Sequence, residues 1–218
     1  MNKTPLKSIQ TISEIAKAED KPVLELRLYG MVPYQLKGIQ GGIQFGHSKD
    51  EMTAHVIEHI INSGVSTDTR KEWNGDSIIT DKNIAHQYLD WLKNWKTYIV
   101  LDGGTTNTNP DRLGTLNQHL QTLKENGVFV TEFYEPDLGD QLTGITFLVD
   151  ERVFNREKYP DLKWMSDPEW KNTFPPDNPI DPKYRSGYDE WTDWIVSIGG
   201  KSNYFLRGFL PKFKLASN

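Results

Sequence analysis

The chain has 218 residues, 36% of them hydrophobic and 11% aromatic, with a formal net charge of -5. That length holds one good core, or one domain with a substantial appendage, and the aromatic content is that of a chain that folds. The absence of cysteine excludes disulfides, thiolate catalysis and sulfur-ligated metal sites, and the net acidity argues against a generally basic nucleic-acid binder.

No apolar run approaches the roughly 20 residues that span a bilayer, and Met1 to Asp20 lacks the apolar core of a signal peptide. A cytoplasmic protein without a membrane partner is expected. Pro22 to Leu28 is predicted as a strand, with Leu24, Leu26 and Leu28 on one face and Glu25 and Arg27 on the other. A break follows at Pro33 and Gly38. From Gly41 to Asn62 the pattern turns helical through Ile43, Val56, Ile57, Ile60 and Ile61, with Gly64 as a stop.

Asp81 is placed to cap a second helix, on which Ile84, Tyr88, Trp91, Leu92 and Trp95 recur at helical spacing as core residues. Thr97 to Leu101 is a short apolar run suited to a strand covered on both faces, and it leads into a flexible loop, Asp102-Gly103-Gly104-Thr105-Thr106. Asn109-Pro110 opens a helix striped by Leu113, Leu116, Leu120 and Leu123, and Asn126-Gly127 closes it. Val128 to Tyr134 and Ile145 to Val149 are rich in β-branched and aromatic residues and read as strands joined by a turn at Asp137. The expected fold is α/β, a mixed four-stranded sheet with helices on both faces.

After Asp150 prolines and tryptophans dominate, with a short helix expected near Tyr188 to Ile198. The chain thus divides into an N-terminal segment 1–21, an α/β domain 22–150 and an irregular Pro/Trp-rich extension 151–218 that wraps over the core to bury Trp164, Trp170, Trp191 and Trp194. The extension ends in a tail with Lys201, Arg207, Lys212 and Lys214 among Tyr204, Phe205, Phe209 and Phe213. Cations interleaved with aromatics can follow a nucleic-acid backbone and stack on bases. Equally, such aromatics dock on a core while the charges stay solvated.

His55-Val56-Ile57-Glu58-His59 matches the H-x-x-E-H pattern of inverted zincins, which needs a third ligand and an open coordination site. Five residues of mixed polarity match by chance, and no metal is assigned. Gly103-Gly104-Thr105-Thr106 lacks the Gly-Lys-Ser/Thr ending of a phosphate loop, Gly41-Gly42 with Gly46 is not a dinucleotide fingerprint, and no Gly-x-Ser-x-Gly elbow exists. No cofactor is assigned either. The polar concentrations that stand out are Lys37-Gly38-Ile39-Gln40-Gly41-Gly42-Ile43-Gln44-Phe45-Gly46-His47 and Asp137-Leu138-Gly139-Asp140-Gln141-Leu142, each at the end of an expected strand, where α/β folds bind ligands.

The order strand, Lys-Gly loop, Gln-x-x-His on the first helix, strand, leucine-striped helix, strand, Asp-x-Gly turn and strand resembles the class II peptidyl-tRNA hydrolase family over roughly Pro22 to Asp150. Lys37, Gly38, Gly41, Gly42, Gln44 and His47 stand near the family's Gly-Lys and Gln-x-x-His, and Asp137 to Leu142 looks like a shortened form of its Asp-Ala-Gly-Arg-Thr-Gln turn. The resemblance implies cleavage of the ester between peptide and tRNA without a cofactor. Asp137 would orient the water, Lys37 and Gln44 would donate to the ester oxygen or a nearby phosphate, and His47 would complete the network. Gly38, Gln40, Gly139 and Gln141, with the tail cations Lys201, Arg207, Lys212 and Lys214, would contact the substrate. A homodimer, or a protein partner on the C-terminal extension, is compatible with this reading.

Three departures are visible. Gln40 stands at the family lysine's distance from His47, while Lys37 lies about one turn earlier. Asp140-Gln141 replaces the Arg-Thr pair, and the helix from Asp81 to Trp95 is inserted. An acid in place of a cation repels phosphates. The alternative expectation is therefore a catalytically inactive hydrolase-like module that binds RNA or a protein partner.

Overall fold

A computed structural model describes residues 24–36, 38–63, 84–166 and 185–216. The strands β1 (Leu26–Val32), β2 (Thr97–Asp102), β3 (Thr131–Glu135) and β4 (Gln141–Asp150) form one mixed sheet in the order β2-β1-β4-β3. β1 is parallel to β2 and antiparallel to β4, and β4 is antiparallel to β3. The α/β class and the mixed four-stranded sheet expected from the sequence are present.

Helices cover both faces because the central strand is apolar on both. Leu24, Leu26 and Leu28 pack with Phe45, Met52 and Val56 of α1 (Ile39–Ser63) and with Ile84, Tyr88 and Trp91. Ile84 and Tyr88 belong to α2 (Ile84–Asp90), which passes into a π turn at Trp91–Trp95. Tyr29 and Met31 face the other way, onto Leu116, Leu120 and Leu123 of α3 (Thr115–Glu125). Burying each such side chain stabilises the fold by about 1.5–3 kcal/mol.

The first strand lies later than expected, at Leu26–Val32 instead of Pro22 to Leu28. Alternation of Leu24, Leu26 and Leu28 marks only one face, whereas Tyr29 and Met31 carry pairing onward until Pro33. β4 starts four residues before the expected Ile145 because a bulge opposite Phe133 and Tyr134 breaks its alternation. Asp81 lies outside the described residues.

β4 runs into the single-turn helix α4 (Glu151–Phe154), whose first turn is capped by the Asp150 carboxylate accepting from the Arg152 N–H at 2.9 Å. The C-terminal extension then contributes α5 (Arg185–Ser197) and α6 (Lys201–Phe209). On α5, Trp191 and Trp194 are buried with Ile195, Ile198 and Leu162; Trp170 and the side chain of Trp164 lie outside the described residues. The expected short helix near Tyr188 is α5, but the tail is also helical, which the adjacent Gly199-Gly200 concealed. Leu206 and Phe209 of α6 enter the core beside α3.

Past α6 the chain follows the outer edge of the sheet. Asp102 donates its N–H to the Lys214 carbonyl at 3.0 Å, and Ala216 donates to the Val100 carbonyl at 2.8 Å. This pairing covers part of the β2 edge that would otherwise offer free backbone groups. Among the described residues, no helix is long and apolar enough to cross a membrane.

Candidate active site

Since β1, β2 and β3 run in the same direction, their carboxyl ends share one edge of the sheet. The start of α1, the loop 103–114 after β2 and the turn 136–140 between β3 and β4 all emerge there. This is the edge at which α/β sheets place ligands.

Gln44 joins two of these segments. Its Nε2 donates to Glu135 Oε2 at 2.7 Å, and its Oε1 accepts from the Thr143 hydroxyl at 2.7 Å. At 8% exposure the side chain is buried with both ends of its amide satisfied. The β4 bulge aims Thr143 toward α1, so that Thr143 and Gly144 both face the helix. A Cβ at Gly144 would sit 2.7 Å from the Gln44 carbonyl oxygen and 2.9 Å from Ser48 Oγ. Just below, the Ser48 and Thr146 hydroxyls share a 2.6 Å hydrogen bond. Glycine at 144 and small hydroxyl residues around it thus let the backbone of α1 approach the strand.

His47, one turn along α1 from Gln44, rests its ring on Phe133 with centroids 4.6 Å apart. Its Nδ1 is shielded from solvent, lacks a hydrogen-bond partner and lies 4.0 Å from Glu135 Oε2. The Glu135 side chain is only 16% exposed. A half-buried carboxylate fixed by one amide and facing one imidazole can orient a water molecule and accept or relay its proton.

The turn after Glu135 is a single 3-10 turn, Pro136–Leu138, closed by Gly139 in the left-handed region at φ 67. Asp140 follows, also left-handed at φ 56, and its N–H donates to the Glu135 carbonyl at 3.1 Å. Asp137, Gly139 and Asp140 are exposed at the rim. Gln141 turns toward the neighbouring loop, where its Oε1 accepts from the Thr108 N–H and its Nε2 donates to the Thr108 hydroxyl, both at 3.2 Å.

The loop after β2, expected to be flexible, is instead pinned along its length. Gly103 N–H donates to the Val32 carbonyl, Tyr34 N–H to the Gly104 carbonyl, and Gly104 N–H to Asp102 Oδ1, each at 2.8 Å. Thr105 N–H reaches Thr115 Oγ1 at 2.7 Å and Asn107 N–H reaches Asn117 Oδ1 at 3.1 Å. These loop contacts consume the polar groups that composition alone leaves unassigned.

Of the residues expected at the site, Gln44 and His47 converge on Glu135, while Gly38 and Gln40 are exposed at the start of α1. Lys37 lies outside the described residues. Lys201 begins α6, Lys212 ends the 3-10 turn Leu210–Lys212, and the Lys214 backbone pairs with β2. Arg207 corrects the expectation of a nucleic-acid contact, since it is 3% exposed. Its guanidinium donates to the carbonyls of Arg152 and Tyr159, both at 2.5 Å, and to Asp161 at 2.8 Å. Burial first, and then the adjacent Arg156 charge, push its pKa down.

Glu135 and Thr143 are the site residues that the sequence reading missed. The signal available was the acid that ends β3, immediately before Pro136. The tail aromatics dock on the core, which is one half of the second expectation for that segment, whereas the buried Arg207 departs from the other half, that the charges stay solvated: Phe209 and Phe213 lie 4.7 Å apart and enclose His119. His55 packs against Phe129 at 4.8 Å, and among the described residues no group of three His, Asp or Glu side chains is arranged to hold a metal ion. No family model, curated protein or solved structure matches the chain.

Proposed function

We propose that the chain is a hydrolase acting on the ester between peptide and tRNA, with Glu135 and His47 handling the attacking water. The observation that carries this reading is the Gln44–Glu135 hydrogen bond at 2.7 Å, which joins the Gln-x-x-His helix start to the Asp-x-Gly turn. In the proposed step the water oxygen bonds to the ester carbonyl carbon while its proton passes to the Glu135–His47 pair. The ribose oxygen then departs as the carbon–oxygen bond breaks and takes that proton, giving a peptide acid and a tRNA hydroxyl.

Gln44 acts as a positioning residue here, because both ends of its amide are already engaged. Asp137, exposed two residues beyond Glu135, is assigned to hold the water from the rim. Exposed Tyr34, Ile39, Ile43 and Leu138 on the flanking segments supply apolar surface suited to the peptide portion of a substrate.

A second reading, a catalytically inactive module, is favoured by the exposed Asp137 and Asp140 on one turn, since two acids repel tRNA phosphates. Incubation of the full chain with an N-acetyl-aminoacyl-tRNA separates the two. Release of free tRNA that is reduced about 100-fold by Glu135→Gln supports the hydrolase. Absence of release from the unaltered chain, at enzyme concentrations equal to substrate, overturns it in favour of the binding module.

A further inference from the structure

A cavity of about 300 Å3 lies between β1, β2 and α6, on the face of the sheet opposite α1. Its volume stands at the lower end of the range for small-molecule sites. Tyr29 and Ile99, partners in register across β1 and β2, line it together with Val153 and Phe154 of α4 and with Leu206 and Leu210. These walls are held before any ligand arrives. Phe154 lies under the Arg27 guanidinium at 3.7 Å, and Tyr29 stacks on Phe147 with centroids 6.0 Å apart. The turn Leu210–Lys212 is followed directly by the segment that pairs with β2 through the Asp102–Lys214 and Ala216–Val100 hydrogen bonds. A preformed wall costs little to order on binding.

Arg156 and Arg207 are the charged residues of the lining. Both are paired with Asp161, which stands outside it, so the cavity is marked by a single donor and not by surplus charge. Nη1 of Arg207 donates to the Arg152 carbonyl, and Nη2 donates to the Tyr159 carbonyl and to Asp161. Nε is left over. Arg207 is 3% exposed, and this nitrogen is shielded from solvent without a hydrogen-bond partner. By its place in the side chain, Nε is the guanidinium nitrogen nearest α6, and Leu210, one turn beyond Arg207, lines the same cavity. A buried donor without an acceptor is rare in a folded protein and points to a partner that the chain itself does not supply.

Aliphatic and aromatic carbon around one unused donor matches an apolar body that ends in one strong acceptor. We propose that this cavity binds a medium-chain aliphatic carboxylate, with its chain against Ile99, Val153 and Leu210 and one carboxylate oxygen accepting from Arg207 Nε. An ionised acceptor makes a stronger hydrogen bond than a neutral one. A body with further polar groups would leave them without partners against these walls. The site is independent of the hydrolase reading, and its failure leaves that reading intact.

Calorimetric titration of the full chain with octanoate, hexanoate and 1-octanol tests the proposal. Octanoate is expected to bind at least about tenfold more tightly than hexanoate, because it buries two further methylenes. It is expected to bind at least about tenfold more tightly than 1-octanol, which has the same chain without the charged acceptor. Ile99→Trp fills the cavity from β2 and is expected to weaken octanoate by about tenfold or more. Should that variant melt early, Leu210→Trp, from a half-buried position after α6, is expected to do the same. Hexanoate or 1-octanol binding as tightly as octanoate, unchanged octanoate affinity in the folded tryptophan variant, or no octanoate binding up to about 1 mM would each overturn the proposal.

Discussion

Gln44 and Glu135 are 91 residues apart in the chain and meet in a 2.7 Å hydrogen bond at the carboxyl edge of the sheet. The bond works in both directions. Glu135 satisfies the amide N–H of a buried glutamine, and the glutamine fixes the carboxylate on the side that faces His47. Thr143, turned toward α1 by the bulge in β4, holds the other end of the amide and so removes its freedom to rotate.

Replacing Glu135 separates its chemical role from its structural one. Glu135→Gln keeps an acceptor for Gln44 but removes the charge, so the melting temperature is expected to hold while tRNA release falls about 100-fold. Glu135→Ala leaves the Gln44 amide without its partner in a buried position, which adds about 1–3 kcal/mol of destabilisation. Thermal melts beside turnover assays check both. Equal loss of stability in the two variants would mean that the negative charge, and not the acceptor, secures Gln44.

Gly144→Ala tests whether the close approach of α1 to β4 builds the site. The added methyl would stand 2.7 Å from the Gln44 carbonyl oxygen, a backbone atom that moves only if the helix moves. A loss of about 2 kcal/mol is expected from this overpacking. Because the displaced helix carries Gln44 and His47, turnover should fall even at temperatures where the variant remains folded. Urea denaturation and turnover at low temperature are the measurements.

The same glycine explains why part of the sheet was hard to read. Ile145 to Val149 announce themselves as a strand by hydrophobicity, but Thr143 and Gly144 suggest a loop, since their polarity and small size serve a helix that only the tertiary fold brings near. Leucines at 116, 120 and 123 were legible as one face of a helix because their spacing depends on local geometry alone. Gln44 and His47 were legible as a pair for the same reason, one turn apart on α1. Glu135 was not, because an acid at the end of a strand is common and only the fold aims it at Gln44. Arg207 was misread because an arginine among aromatics has the same sequence pattern whether its partners are phosphates or the buried carbonyls of Arg152 and Tyr159.

Arg207 accordingly ties α6 to the segment after β4, and its replacement should cost stability. Arg207→Ala removes the donor from two backbone carbonyls, each loss worth about 1–3 kcal/mol. Arg207→Lys retains the charge but cannot present a planar fork to several acceptors, and it is expected to recover less than half of the loss. Chemical denaturation checks the order wild type, lysine, alanine. Equal stability of all three would show that the fork carries no load in the folded chain.

His119 gives the C-terminal packing a dependence on pH. Its ring on α3 meets Phe213 edge-on at 4.9 Å and Phe209 at 5.8 Å, and burial among these rings lowers its pKa from the usual 6.5. A base whose folded pKa is depressed is protonated more readily in the unfolded chain, so unfolding takes up a proton at acidic pH. The contribution to stability is present above pH 6.5, begins to fall as the pH drops through that value, and stops falling once the pH is below the folded pKa. His119→Phe, which keeps an aromatic ring there without a titrating group, should flatten that part of the profile. Melting curves recorded from neutral to mildly acidic pH provide the check: a slope just below pH 6.5 that is as steep in the phenylalanine variant as in the wild type would remove His119 as its source.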